Sequence, residues 1–420
     1  MAVATTGQRY FGIRLAFLTQ PLQMNRTLRA CPTSAVPHAA GVHAATATGG
    51  ERLHELDAMR SVLMLLGIVL HAANPYCVSA HWMVADGARH EAFDLLDEVI
   101  HLFRMPAFFV VAGYFAMLLL RRRTRAAFLH ERLRRTLLPA AAVLATFNLA
   151  QTWLLARPAS AATFVHETLP AAWRSGALPG HLWFLIYLAL YCLALAPLRP
   201  RLLRWAEGPG PGRLARTRPF LAMLGVTALV PVAGAGMAHF VPRLAQPVLG
   251  LFDPVELLGY AACFAVGCAL QASDALLRRF SAPGLPTWLA AAAGLTLWLA
   301  PHHRHGLAAA GTVLAGSLLT WCLVRLLFAG FRRWTRHPSR GLRYLSDASY
   351  SMYLFHHLFV VAIATALLPL AWPAAAKFTV VLAGASLLSL AIHHFLVRPF
   401  APMRWLFNGA APLTPAPSAS

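Results

Sequence analysis

The stretch Leu53 to His71, LHELDAMRSVLMLLGIVLH, decides the fold. It sets Asp57, Arg60 and His71 on one helix, with an apolar run between the last two. At about 100° per residue, the spacing returns His71 to nearly the azimuth of Arg60, roughly 16 Å further along the axis. One helix face therefore carries a cation at its mouth and an imidazole at its depth. With Ser61 to Ala80 spanning a bilayer, His71 falls close to mid-membrane, where an ionisable group is expensive and points to function. The alternative on this stretch alone is a neutral histidine that hydrogen-bonds a neighbouring helix.

The rest of the chain agrees with a membrane reading. Of 420 residues, 58% are hydrophobic and only 12% are charged, which marks a polytopic membrane protein and not a soluble enzyme. The net charge of +21 would suggest nucleic acid in a soluble chain, but here the basic residues are almost all arginine, in blocks between apolar runs. That placement follows membrane topology, so no nucleic-acid partner is expected. Six cysteines, at 31, 77, 192, 263, 268 and 322, show no CxxC spacing and read as small buried hydrophobes.

Ten spans are expected, at 60–81, 95–120, 136–156, 181–198, 219–240, 255–271, 286–301, 307–329, 349–370 and 375–397. Twenty arginines follow the even-numbered spans, as in Arg121 to Arg135 and Arg199 to Arg218, against five after the odd ones. The positive-inside rule then puts both termini in the cytoplasm and keeps the count even. The expected fold is an all-α polytopic bundle of about ten transmembrane helices at residues 52–408. A disordered segment, 1–51, precedes it, and a loose Pro/Ala/Ser-rich tail, 409–420, follows.

Polar residues inside the apolar spans carry the chemistry. Span two opens with Asp94, Asp97, Glu98, His101 and Arg104, a stripe at three-and-four spacing that leads into the membrane. Arg104 lies too deep to be only a boundary anchor. It is either an ion-pair partner of a carboxylate one or two turns back or a guanidinium that orients an oxyanion or carbonyl. His181 and Trp183 open span four, as an aromatic belt or as a sugar-binding rim. Span nine places Ser349, Tyr353 and His356 on one face, with Tyr350 beside them, as a polar seam or a binding surface. His302-His303-Arg304-His305 lacks metal-site spacing, so no metal is expected.

Four motifs occur in register from about residue 52 to 400. They are Asp57-x2-Arg60-x10-His71, Phe103-Arg104-Met105-Pro106 leading to Gly113, His181-Leu-Trp-Phe-Leu, and Ser349-Tyr-Ser-Met-Tyr-Leu-Phe-His356. Together they resemble the acyltransferase 3 family of integral membrane acyltransferases, nearest its glucans biosynthesis protein C branch. Met59-Arg60-Ser61 lacks the glycine often found after that arginine, and Ala112-Gly113 stands where Ser-Gly is more usual.

The resemblance implies a bacterial inner-membrane enzyme that takes an acyl group, such as acetyl or succinyl, from a cytoplasmic acyl-CoA. The acceptor would be a carbohydrate hydroxyl on the outer side, in a periplasmic or envelope glucan. It implies no tightly bound cofactor, and catalytic roles for Arg60 and His71 with Asp57 orienting the arginine. The expected substrate-binding residues are Arg104, His101, His181, Trp183, Ser349, Tyr350, Tyr353 and His356. An N-acyltransferase of the same kind remains open, as does a flippase of a glycan or lipid-linked sugar. The chain lacks the internal repeat that many transporters show.

Overall fold

The computed structural model describes residues 54–79, 82–216, 219–241, 248–299, 306–335 and 340–410. The segment 1–51, the His302 to His305 cluster and the tail beyond 410 lie outside the described residues. Among these, the chain is helical, with a single isolated bridge between Val248 and Phe252 in place of any strand. Helices occupy all ten expected positions. They are α1 (His54–Tyr76), α2 (Glu91–Arg122), α3 (Arg125–Ala156), α4 (Gly180–Glu207), α5 (Pro219–Phe240), α6 (Pro254–Ala272), α7 (Leu285–Leu299), α8 (Gly306–Trp334), α9 (Arg340–Leu367) and α10 (Ala374–Val397). Eight are long and apolar enough to cross a membrane; α5 and α7 contain the two shorter apolar stretches, Leu224–Gly234 and Leu285–Leu299. The protein is an all-α, multi-pass membrane bundle.

Helix α1 is central, packing against α2, α8, α9 and α10. Its bounds differ from the sequence expectation at both ends. It begins at His54 and converts at Asn74-Pro75 to a short 3-10 turn, which puts His71 in the last turn of the α-helix and not at its middle. Proline at that position tolerates the tighter turn and supplies no amide for a continued helix. Arg104 takes the deeper place, fourteenth of the 32 residues of α2.

The tightest pairing joins α2 to α6. A Cβ on Gly113 would strike the Phe264 carbonyl, and one on Gly267 would strike the Val110 carbonyl. Only glycine lets two backbones approach so closely, as in small-residue packing between membrane helices.

At two of the helix-interior prolines the carbonyl orphaned four residues earlier is filled by a side chain of another helix. Pro106 frees the Leu102 carbonyl, which accepts from Thr320 Oγ1 at 2.7 Å. Pro139 frees the Arg135 carbonyl, which accepts from the Tyr350 hydroxyl at 2.8 Å.

Candidate active site

Four histidines from three helices meet at one end of the bundle. His71 comes from the end of α1, His181 from the start of α4, and His356 and His357 from the middle of α9. Adjacent residues on a helix point about 100° apart, so the last two flank a shared corner. The His71 ring lies 4.9 Å from that of His357 and 5.4 Å from that of His356, centroid to centroid. His181 stacks on His357 at 4.8 Å and meets His356 at 5.4 Å. The Trp82 indole, from the 77–90 loop, stacks on His71 at 6.3 Å and faces the His357 edge at 5.6 Å.

Local structure fixes which ring nitrogen donates in three of these histidines. His356 Nδ1 donates to the Tyr353 carbonyl at 2.7 Å, His181 Nε2 to the Leu354 carbonyl at 3.3 Å, and His357 Nδ1 to Gln151 Oε1 at 2.6 Å. A carbonyl only accepts, so each facing nitrogen carries a proton, and in the neutral imidazole the other holds the lone pair. His71 Nδ1, His181 Nδ1 and His356 Nε2 are sealed from solvent without a hydrogen-bond partner. Buried polar atoms are nearly always bonded in folded proteins, so three unbonded ring nitrogens in one cluster are an exception.

His181 is placed by its loop. Gly180 adopts a left-handed φ of 48°, and Asn148 Nδ2 ties the carbonyls of Leu178 and Pro179 at 2.8 and 3.0 Å. The Tyr353 hydroxyl donates to the His181 carbonyl at 2.6 Å. His181 is thus 7% exposed, inside the cluster and not on an outer rim.

Arg104 reaches the same region from α2. Its Nε donates to the Leu63 carbonyl of α1 at 3.0 Å, and its guanidinium lies across Gly67, where a Cβ would collide with Nη2. No carboxylate pairs with it in the hydrogen bonds and ion pairs of the described residues. The guanidinium acts electrostatically on His71, His181 and His356. A cation held among neutral imidazoles favours negative charge developing beside it.

The remaining expected site residues lie elsewhere. Arg60 and Asp57 form an ion pair at 3.3 Å in the early part of α1, with Arg60 also over the Phe115 ring at 5.6 Å. His101 is half exposed and holds Asp97 at 3.2 Å. Trp183 packs in a separate aromatic group with Tyr187 and Tyr260, at 4.8 and 5.7 Å. Ser349 Oγ donates to the Ser346 carbonyl at 3.0 Å, and Tyr350 serves the Arg135 carbonyl.

Sequence reasoning does not nominate His357, Gln151, Trp82 or Gly67. Gln151 carries a weak signal, as a lone amide in an apolar span. Nothing in sequence ties Trp82 or Gly67 to His71 and Arg104. An apolar recess of 410 Å³ between α4, α5 and α6 is lined by Tyr191, Met237, Pro254 and Leu258 among others. It holds no histidine, arginine or carboxylate, so group transfer has no means there.

Comparison with known proteins identifies the family. The acyltransferase 3 family, described as an acyltransferase domain, matches residues 53–394. Glucans biosynthesis protein C of Salmonella typhi is 27% identical over 320 residues, covering 73% of this chain and 82% of that protein. The protein of the same name from Salmonella paratyphi B is 26% identical over 328 residues, with the same coverage. No solved structure matches the chain. The chain therefore belongs to the acyltransferase 3 family and is a multi-pass membrane acyltransferase, transferring groups other than aminoacyl groups.

Proposed function

We propose that the protein moves an acyl group, acetyl or succinyl, from a coenzyme A thioester in the cytoplasm to a hydroxyl of a periplasmic or envelope glucan. The observation that carries this reading is His71, set among three further imidazoles, with the Arg104 guanidinium lying over Gly67 one helical turn before it. A thioester is already activated, so transfer needs a lone pair to handle the acyl group or the hydroxyl proton, and a positive group for the tetrahedral oxyanion. His71 supplies the first and Arg104 the second. The proton that leaves the hydroxyl ends on the departing coenzyme A thiolate, so charge balances over the turnover.

The name borne by the Salmonella relatives supports the glucan acceptor. The arginine asymmetry of the loops supports a bacterial inner-membrane setting with both termini cytoplasmic. In that orientation Arg60 lies at the donor side, roughly 16 Å along α1 from His71. Its guanidinium, with Asp57 beside it, suits the phosphates of the donor. Arg132 lies within its electrostatic reach and adds to that positive mouth. The 77–90 loop then faces the periplasm, and Trp82 offers an aromatic face to the acceptor.

The experiment is mass spectrometry of periplasmic and envelope glycans with and without the protein. The expected result is one acyl mass, acetyl or succinyl, lost from a glucan when the protein is absent. An unchanged acylation pattern across all envelope carbohydrates would reject this substrate assignment.

A further inference from the structure

Transfer through His71 leaves another imidazole of the cluster without a task. His356 Nε2 and His181 Nδ1 are sealed from solvent. His357 differs. Its Nδ1 proton is held by Gln151 Oε1 at 2.6 Å, which leaves the lone pair on Nε2. That nitrogen has no hydrogen-bond partner among the described residues, and His357 is 3% exposed where His356 is fully buried. His71 Nε2 likewise has no hydrogen-bond partner among the described residues, and its Nδ1 is sealed.

The two rings meet at 75° with centroids 4.9 Å apart, and Trp82 borders both. The two imidazoles therefore border one space beside Trp82, as a nucleophile and a base acting on one substrate must. A single imidazole cannot carry an acyl group and remove a proton from the attacking alcohol with the same lone pair. The pair can do both.

We propose that His357, oriented by Gln151, is the base that takes the acceptor's hydroxyl proton while His71 carries the acyl group. This rests on the acyl-transfer reading above. In the first half-reaction His71 Nε2 bonds to the thioester carbon and the carbon–sulfur bond breaks, releasing coenzyme A thiolate. In the second, the alcohol oxygen bonds to the acyl carbon and its proton passes to His357 Nε2. The bond from carbon to His71 Nε2 breaks, and its electron pair returns to that nitrogen. His357 then gives up its proton, which matches the one the thiolate takes on becoming a thiol. No further reactant is required. Gln151 acts through His357 and is a positioning residue, its amide held in turn by Met83 Sδ at 3.5 Å.

The test uses the full-length protein in membranes with radiolabelled acetyl- or succinyl-CoA, with and without a glucan oligosaccharide. Without acceptor, wild type and His357→Ala should both take up label on the protein, and His71→Ala should take up none. With acceptor, wild type should discharge the label. His357→Ala should retain it, with transfer slower by about 10²- to 10⁴-fold and an unchanged KM for the donor. Added imidazole should restore discharge to His357→Ala. Gln151→Leu should slow discharge by about tenfold to a hundredfold without preventing labelling.

His357→Asn, which keeps a polar group opposite Gln151, guards against misfolding and should behave as His357→Ala does. The proposal is overturned if the His357 variants transfer at the wild-type rate, or if they lose labelling as His71→Ala does. Absence of both label and transfer in wild type would instead reject the acyl-transfer reading itself.

Discussion

Gly67 and Arg104 form the most economical residue-scale test of the site. A methyl group at Gly67 meets the far end of a flexible side chain, not backbone, so the fold can absorb it while the guanidinium must move. Gly67→Ala is expected to lower acyl transfer by at least about tenfold. Removing the charge outright with Arg104→Gln should cost about 10²- to 10³-fold, the usual loss for one oxyanion-stabilising group. Thermal unfolding followed beside activity separates the two effects: melting within a few degrees of wild type with lost activity is the predicted pattern for Gly67→Ala. His71, Arg104, His181, Tyr353 and His356 were legible in sequence because each is polar within an apolar span. His357 and Gln151 were not singled out, since a second histidine and a lone amide carry no period of their own. Trp82 was beyond reach because a loop residue's neighbour depends on how the loop folds back.

At the scale of the element, helix positions were legible from apolar length, whereas helix ends and partners were not. Composition marks where hydrophobic surface lies, and α1 nonetheless starts before and stops short of the expected span because Asn74-Pro75 ends it. The prolines at 106 and 139 are visible in sequence, but the side chains that answer them, Thr320 and Tyr350, lie far along the chain. Tyr350→Phe should therefore destabilise the bundle by about 1 kcal/mol, the typical worth of one hydrogen bond, and leave transfer close to wild type. A selective loss of donor or acceptor binding in that variant would return Tyr350 to the site. Gly267 makes the stronger statement. Gly267→Val places a branched side chain against the Val110 carbonyl, and membrane-inserted, folded protein should fall sharply on a fluorescence-detected gel-filtration assay.

Across the whole molecule, the 77–90 loop that carries Trp82 is pinned at several points. Lys377, the only lysine in the chain, gives Nζ to both carboxylate oxygens of Asp86 at 2.8 and 2.9 Å, with both side chains 2% exposed. Asp94 accepts from the amides of Val78 and Ser79 at 2.8 and 2.9 Å, and from the Ser79 hydroxyl. Breaking one partner of a buried pair strands the other charge. Lys377→Met should thus cost about 3–5 kcal/mol, and the double variant Lys377→Met with Asp86→Asn distinctly less. Equal loss in the single and double variants would show that the stranded carboxylate is not the source of the cost. Neither residue was nominated from sequence, because a loop carboxylate and a distant lysine carry no shared pattern. The account as a whole stands on His71 as the imidazole through which the acyl group or its balancing proton passes. Its most direct measurement is transfer of labelled acetyl or succinyl from coenzyme A to envelope glucan by membranes holding equal amounts of wild type and His71→Ala. The account predicts loss of transfer by about 10²- to 10⁴-fold with normal membrane insertion. Wild-type transfer by a well-inserted His71→Ala protein would contradict it.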